Sequence, residues 1–195
     1  MLIGPAQSLA ILFILVTFYI IDGIAFRRYD RQRKAKGRGR SWDFTLLALA
    51  ACALLILRPI LLPGLGVQIK ADWGWVIQGT GLLLAAAALG LNAWARAHLR
   101  QFYAERVEIQ PDHQVITSGP YALVRHPIIT SFFGLIIGLF LIDPAVTTLL
   151  GMLYTFWDFG RAARQEERLL AENLPAYRDY MARTPRFLPR LRRSK

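Results

Sequence analysis

Thr117-Ser118-Gly119-Pro120-Tyr121-Ala122-Leu123-Val124-Arg125-His126-Pro127 joins a polar linker to an apolar run. Gly119-Pro120 is turn chemistry, because glycine accepts backbone angles that other residues resist and proline presets its own. Pro127 suits the first position of a helix, where the amide that proline lacks would have no partner anyway. Arg125 and His126 are thereby held at a helix start, on the edge of a hydrophobic layer. A ligand can meet unpaired amides at a helix N-terminus, and a guanidinium beside an imidazole there marks a candidate site.

Downstream, residues 128–142 and 145–160 are apolar and are separated by Asp143-Pro144. The first of these runs covers about 22 Å as a helix, short of a hydrocarbon core of roughly 30 Å. The pair predicts a tight helical hairpin that bends or stops before the far surface. Upstream lie three more runs, at 8–26, 42–62 and 73–95. The first spans roughly 28 Å as a helix. Its basic residues follow it and no small-residue cleavage pattern is visible, so it reads as a membrane span and not as a removed signal. Trp73 and Trp75 open the third run as interfacial aromatics do. Gly79, Gly81, Ala85 to Ala88 and Gly90 give that run a small face suited to close helix packing.

The chain is 54% hydrophobic, with a mean hydropathy of +0.33. Soluble domains average about 45–50% apolar. The expected fold is therefore all-α: a polytopic integral membrane protein of about five transmembrane helices, with a C-terminal hairpin and a cytoplasmic cofactor pocket. Residues 1–95 form an N-terminal three-helix part, and residues 96–195 carry the linker, the hairpin and a basic tail expected to be an amphipathic helix.

Charge fixes the expected orientation. Residues 27–40 hold eight basic residues, residues 96–126 hold four and residues 161–195 hold ten. Only Arg58 and Lys70 are left for the other side. The positive-inside rule then predicts an N-terminus outside and a C-terminus in the cytoplasm, as in a bacterial inner membrane. This asymmetry accounts for the net charge of +11 with no nucleic acid as partner. The 27–40 run lacks interleaved aromatics and is read as touching anionic headgroups, each basic residue adding about 1 kcal/mol. Cys52 stands alone, so no disulfide within the chain and no thiolate metal site is expected. His98, His113 and His126 show no helical metal spacing.

Polar residues gather at the cytoplasmic end of the hairpin. Arg125 and His126 start its first run, while Asp158, Arg161, Arg164, Glu166 and Glu167 lie at the end of the second and just beyond. Helices of similar length return to the same level, so the turn at Asp143-Pro144 brings the two groups together. Their chemistry suits a polar, positively charged cofactor beside a wall open to apolar substrates. Each residue also has a structural reading. His126 is then an interfacial histidine and Arg125 a positive-inside anchor. Glu166 and Glu167 form a solvated face paired with Arg164 or Arg168. Tyr177 and Tyr180 are packing residues. Asp158, costly inside lipid, either pairs with Arg161 or faces the pocket.

Gly119-Pro120-Tyr121 followed by Arg125-His126-Pro127 resembles the Gly-x-Tyr and Arg-His-Pro motif of the isoprenylcysteine carboxyl methyltransferases and related phospholipid methyltransferases. Glu166-Glu167, then Tyr177-x-x-Tyr180, then Arg183-x-Pro185-Arg186-Phe187-Leu188-Pro189 is similar to their C-terminal signature. The resemblance covers residues 105–190. It implies a membrane methyltransferase that uses S-adenosyl-L-methionine and acts on a lipophilic small-molecule or lipid substrate. By that resemblance His113, Gln114, Val115, Ile116, Tyr121, His126 and Pro127 line the cofactor pocket. Glu167 or Glu166 takes a polar end of the cofactor. Arg125, Arg161 and Arg164 are the catalytic candidates, with Arg161 or Arg164 facing an acidic group of the substrate. Two departures stand out: Ile129 replaces a frequent tyrosine, and Leu174-Pro175 replaces a common Phe-Gly.

Displacement of a methyl group from a sulfonium leaves a neutral thioether, so the leaving group needs no acid. A carboxylate acceptor is already ionised at pH 7 and needs no base, whereas an amine acceptor must first lose a proton. No extra base is evident in the sequence. Carboxyl O-methylation of an isoprenylcysteine-like compound is thus the leading expectation, ahead of phospholipid N-methylation. A sterol-type NADPH reductase, which resembles the same C-terminal half, and a non-catalytic membrane adaptor are the rivals from other classes.

Overall fold

The computed structural model describes residues 1–25, 27, 42–67, 71–99 and 115–190. His113, Gln114, Lys70, the basic loop beyond Arg27 and most of the linker lie outside the described residues. Among the described residues six α-helices follow one another: α1 (Pro5–Ala25), α2 (Trp42–Leu61), α3 (Ala71–Leu99), α4 (Pro127–Ile142), α5 (Val146–Asn173) and α6 (Pro175–Arg183). The protein is all-helical among the described residues. Pro5–Ala25 and Asp72–Leu99 are long and apolar enough to cross a membrane, while Leu49–Leu61 and Pro127–Ile142 are shorter apolar helices.

The core is built where α1, α3 and α4 meet. Ile11, Ile14 and Leu15 of α1 pack with Ala85 and Ala88 of α3 and with Leu135, Leu139 and Ile142 of α4. The α3–α4 contact is close enough to bring backbones together. A Cβ added at Gly138 would lie 2.8 Å from the Gly81 carbonyl oxygen, and one added at Gly81 would lie 2.7 Å from that of Gly138. Without side chains at these points the helices approach to backbone contact, which favours dispersion where no hydrophobic force separates protein from lipid.

Several buried polar groups in this apolar setting pair with one another, which offsets the cost of placing them there. Arg96 forms an ion pair with Asp22 at 2.6 Å, and its Nε donates to Asn92 Oδ1 at 2.7 Å. The Asn92 amide donates to Ser131 Oγ at 2.8 Å. One chain of polar contacts thus ties α1 to α3 and α3 to the start of α4. At the opposite end of α4, Arg58 pairs with Asp143, and its Nε donates to Asp143 Oδ2 at 3.0 Å. The expected loop cation Arg58 therefore belongs to α2 and is buried. The Thr148 hydroxyl donates to the Asp143 carbonyl at 2.7 Å, which shapes the hairpin turn ahead of α5.

One element differs from the sequence reading. The apolar run 145–160 and the first part of the tail are a single helix of 28 residues. No proline interrupts it, and its buried face continues through Gly160, Ala163, Glu167 and Leu170, the spacing of one helical stripe. It ends where Leu174, with φ −128° and ψ 99°, is held extended by the proline that follows. Pro175 then starts α6.

Candidate functional site

The site is assembled from three pieces of backbone: the turn before α4, the C-terminal third of α5, and the extended segment after α6. Gly119 carries a φ of +58°, a left-handed conformation that costs other residues roughly 1–2 kcal/mol. The His98 ring of α3 also occupies the place a Cβ would take. The turn Gly119–Ala122 that follows leaves Tyr121 buried. The Tyr180 hydroxyl of α6 donates to the Tyr121 carbonyl at 2.6 Å.

The segment Thr184 to Phe187 lies along the start of α4 as a strap. Pro185 and Arg186 offer their carbonyls to the amides of Arg125 at 2.8 Å and His126 at 3.1 Å. The Thr130 hydroxyl lies 3.0 Å from the Phe187 carbonyl. Arg125 donates through Nη1 to the carbonyls of Met181 at 2.8 Å and Thr184 at 2.6 Å. Phe187 packs edge-on against Phe133, with ring centroids 5.1 Å apart, and Phe133 stacks on Phe156 at 4.4 Å. The strap is thus fixed by main-chain bonds on one side and by an aromatic stack reaching α5 on the other.

Glu167 is the centre of the cluster, its side chain only 4% exposed. Its Oε1 accepts from Arg125 Nε at 2.9 Å and lies 3.1 Å from His126 Nε2. Its Oε2 accepts from Arg186 Nη2 at 2.5 Å. Glu166, one residue earlier and 39% exposed, lies 3.4 Å from His126 Nδ1. Burial alone would raise the Glu167 carboxyl, but hydrogen bonds from His126, Arg186 and Arg125 overcome it and hold the group well below the ordinary carboxylate range. Burial likewise works against the His126 imidazolium. The hydrogen bonds and charges of Glu166 and Glu167 outweigh it, so this histidine is raised above its usual value. Burial pushes the Tyr180 phenol up to about 12 and raises Tyr177 as well, so both stay neutral near pH 7.

The residues singled out in the sequence fall into three groups. Arg125, His126, Glu166 and Glu167 come together in one ion-paired cluster. Tyr121 and Pro127 are buried beside it. Val115 packs on the Leu170, Tyr177 and Tyr180 cluster, with Ile116 half-buried next to it. Arg161 and Arg164 are exposed on α5. Arg161 lies over the Trp157 ring, 5.6 Å from its centroid, and a Cβ at Gly160 would sit 3.7 Å from Arg164 Nη1. Both side chains therefore lean toward the N-terminal end of their helix, as helical side chains do. His113 and Gln114 lie outside the described residues. The sequence reading assigned no role to Arg186. Its signal was the proline-bracketed Arg183-Thr184-Pro185-Arg186-Phe187, a run with no helical period that nevertheless carries two arginines.

The described residues thus form an all-helical, largely apolar protein that gathers a buried ion cluster at the mouth of its helical hairpin. Residues 80–172 match the model of the isoprenylcysteine carboxyl methyltransferase family. The chain is similar in fold to the eukaryotic intramembrane Ras methyltransferase of that family, with a TM-score of 0.63, 19% identity, and coverage of 96% of this chain and 71% of that one. It is 32% identical over 122 residues to the cobalt-zinc-cadmium resistance protein CzcN of Cupriavidus metallidurans, a match covering 62% of this chain. It is 35% identical over 80 residues to the nickel-cobalt-cadmium resistance protein NccN of Alcaligenes xylosoxydans xylosoxydans, over 40% of this chain. The matches span 54% and 37% of those two relatives' lengths.

Proposed function

We propose that this protein is an S-adenosylmethionine-dependent membrane methyltransferase whose acceptor is lipophilic, with the carboxylate of an isoprenylcysteine-like compound as the leading substrate. The observation that carries the reading is the cluster of Arg125, His126, Arg186, Glu166 and Glu167, formed where the hairpin mouth meets the strap. The match of residues 80–172 to the methyltransferase family supports the reaction class. The two bacterial relatives are named for metal resistance, and the geometry of this cluster does not draw that role to this chain.

The residues present fit the methyl donor. Its amino-acid end carries an ammonium and a carboxylate, and its other end an aromatic base. Glu166 and Arg186 offer half-exposed groups of opposite sign, 39% and 36% exposed. Phe187 and Phe133 supply apolar ring surface next to them. When bound, the donor supplies a methyl group on a sulfonium that leaves as a neutral thioether. The chain's own part is alignment and exclusion of water, which together supply several kcal/mol.

Glu167 and Arg125 act in this reading as the frame. Their described side-chain contacts are with each other, with His126, with Arg186 and with the carbonyls of Met181 and Thr184. Arg161 and Arg164, exposed on α5 at the level of the membrane edge, are the groups that meet an acceptor carboxylate. We further propose five membrane crossings with the N-terminus outside, and a division at residue 95 between an anchoring part and the methyltransferase part. His113, Gln114, Val115, Ile116, Tyr121 and Pro127 complete the donor pocket in this reading.

The test is transfer of a labelled methyl group from S-adenosylmethionine to a panel of prenylated thioether acids and phospholipids. Label in a base-labile ester of the prenylated acid is the expected result. Label in a phospholipid amine would shift the substrate class. Absence of transfer to every lipophilic acceptor, with no binding of the donor, would end the proposal.

A further inference from the structure

Both ring nitrogens of His126 face carboxylates: Nε2 lies 3.1 Å from Glu167 Oε1 and Nδ1 lies 3.4 Å from Glu166 Oε2. An ionised carboxylate only accepts hydrogen bonds, so the arrangement asks for a proton on each nitrogen, which is the imidazolium. The two carboxylates are not equivalent. Glu167 already accepts from two guanidinium groups, those of Arg125 and Arg186. The imidazolium is the third cation on that carboxylate. The counter-charge that holds its proton is therefore chiefly Glu166, which is 39% exposed against 4% for Glu167. The 3.4 Å separation is also longer than the roughly 2.7–2.9 Å of a strong charge-assisted bond. The remaining groups near His126 are its neighbour Arg125, the Phe187 ring at 5.9 Å, Arg186 acting through Glu167, and the neutral Tyr177 of α6. None of them supplies a second negative charge.

We infer that Glu166 is an exchangeable partner: a cationic group of the bound methyl donor takes it over from the His126 imidazolium, and His126 releases its proton to solvent as the donor binds. This rests on the proposed use of S-adenosylmethionine. Once Glu166 faces the incoming cation, the imidazolium is left among two guanidinium groups with a carboxylate they already occupy. The neutral imidazole keeps one N–H for Glu167 and removes that repulsion. The charge of the site is then unchanged by binding, since one cation has replaced another. His126 thus holds the place of the donor's cation until the donor binds.

Calorimetric titration of the full chain in detergent, in two buffers of different ionisation enthalpy at about pH 7, reads the released proton directly. The expected result is a buffer-dependent heat corresponding to release of up to one proton, with affinity rising by at most about tenfold per pH unit where His126 titrates. His126→Gln should still bind the donor but with heats equal in both buffers, and Glu166→Gln should bind more weakly and without release. S-adenosylhomocysteine keeps the ammonium and lacks the sulfonium. Release with both ligands assigns the ammonium as the cation, and release with S-adenosylmethionine alone assigns the sulfonium. Binding with no buffer dependence, or release that persists in His126→Gln, would overturn the exchange while leaving the donor in place. No binding in either buffer would remove the donor, and this inference with it.

Discussion

His126 Nε2 and Glu167 Oε1 lie 3.1 Å apart although 41 residues separate them in the chain. The hairpin at Asp143-Pro144 makes this meeting possible. The strap makes it permanent, because Arg186 reaches the same carboxylate from the other side. Replacing Glu167 by alanine leaves two guanidinium groups and a buried histidine without their shared acceptor. Removing one partner from a buried ion pair costs about 3 kcal/mol or more. A lowered unfolding midpoint in detergent and loss of donor binding are expected, with Glu167→Asp intermediate.

The cluster should give stability a definite pH profile. Glu167 is depressed below its ordinary 4.5, so its contribution is complete above that value and is lost as pH falls through the lower folded value. His126 is raised above 6.5, so its contribution is complete below that value and is lost as pH rises through the higher folded one. Stability from these two groups is greatest between the ordinary values of 4.5 and 6.5. A decline should follow on the alkaline side, which thermal unfolding across pH would record. His126→Gln should flatten that alkaline decline and leave the acid limb in place.

Arg186 holds the strap as well as the carboxylate. Arg186→Ala is expected to loosen Thr184 to Phe187, whose carbonyls receive the amides of Arg125 and His126. Hydrogen exchange at those two amides should accelerate while exchange in the α3–α4 contact stays slow. Lysine at this position should rescue poorly, because it lacks the forked geometry that meets both carboxylate oxygens.

Much of this arrangement was legible in the chain. Asp143-Pro144 between two apolar runs announced the hairpin, and runs of similar length returned Glu166-Glu167 to the level of Arg125-His126. Other features were not. Adjacent glutamates point about 100° apart on a helix, and nothing in the pair Glu166-Glu167 tells which of them turns inward. Arg58 precedes a proline at the end of an apolar run, which reads as a loop. Only the fold brings Asp143 to it and makes burial tolerable. The continuity of α5 followed from a missing helix breaker, a weaker sign than the change from apolar to charged residues at Arg161.

Close approach of α3 and α4 offers a paired comparison. Gly138→Ala places a methyl group 2.8 Å from a backbone oxygen and 3.0 Å from a backbone nitrogen, neither of which can step aside. The expected cost is about 1–3 kcal/mol, visible as a lower unfolding midpoint. Gly90→Ala, with nothing within 4 Å of the added carbon, should leave the midpoint unchanged or slightly higher.

At the turn before the cluster, Gly119→Ala meets both an unfavourable φ of +58° and the His98 ring. Activity and stability should fall together. Combining it with His98→Ala should recover the steric part only, because the backbone penalty of roughly 1–2 kcal/mol persists. A double-mutant cycle measured by unfolding separates the two.

Because α5 runs unbroken from Val146 to Asn173, the exposed Leu150, Leu153 and Trp157 share one rigid rod with Glu166 and Glu167. Whatever leans on the greasy end of that rod tilts both acids at once. An apolar load at one end of that helix and an ionic contact at the other are therefore mechanically joined.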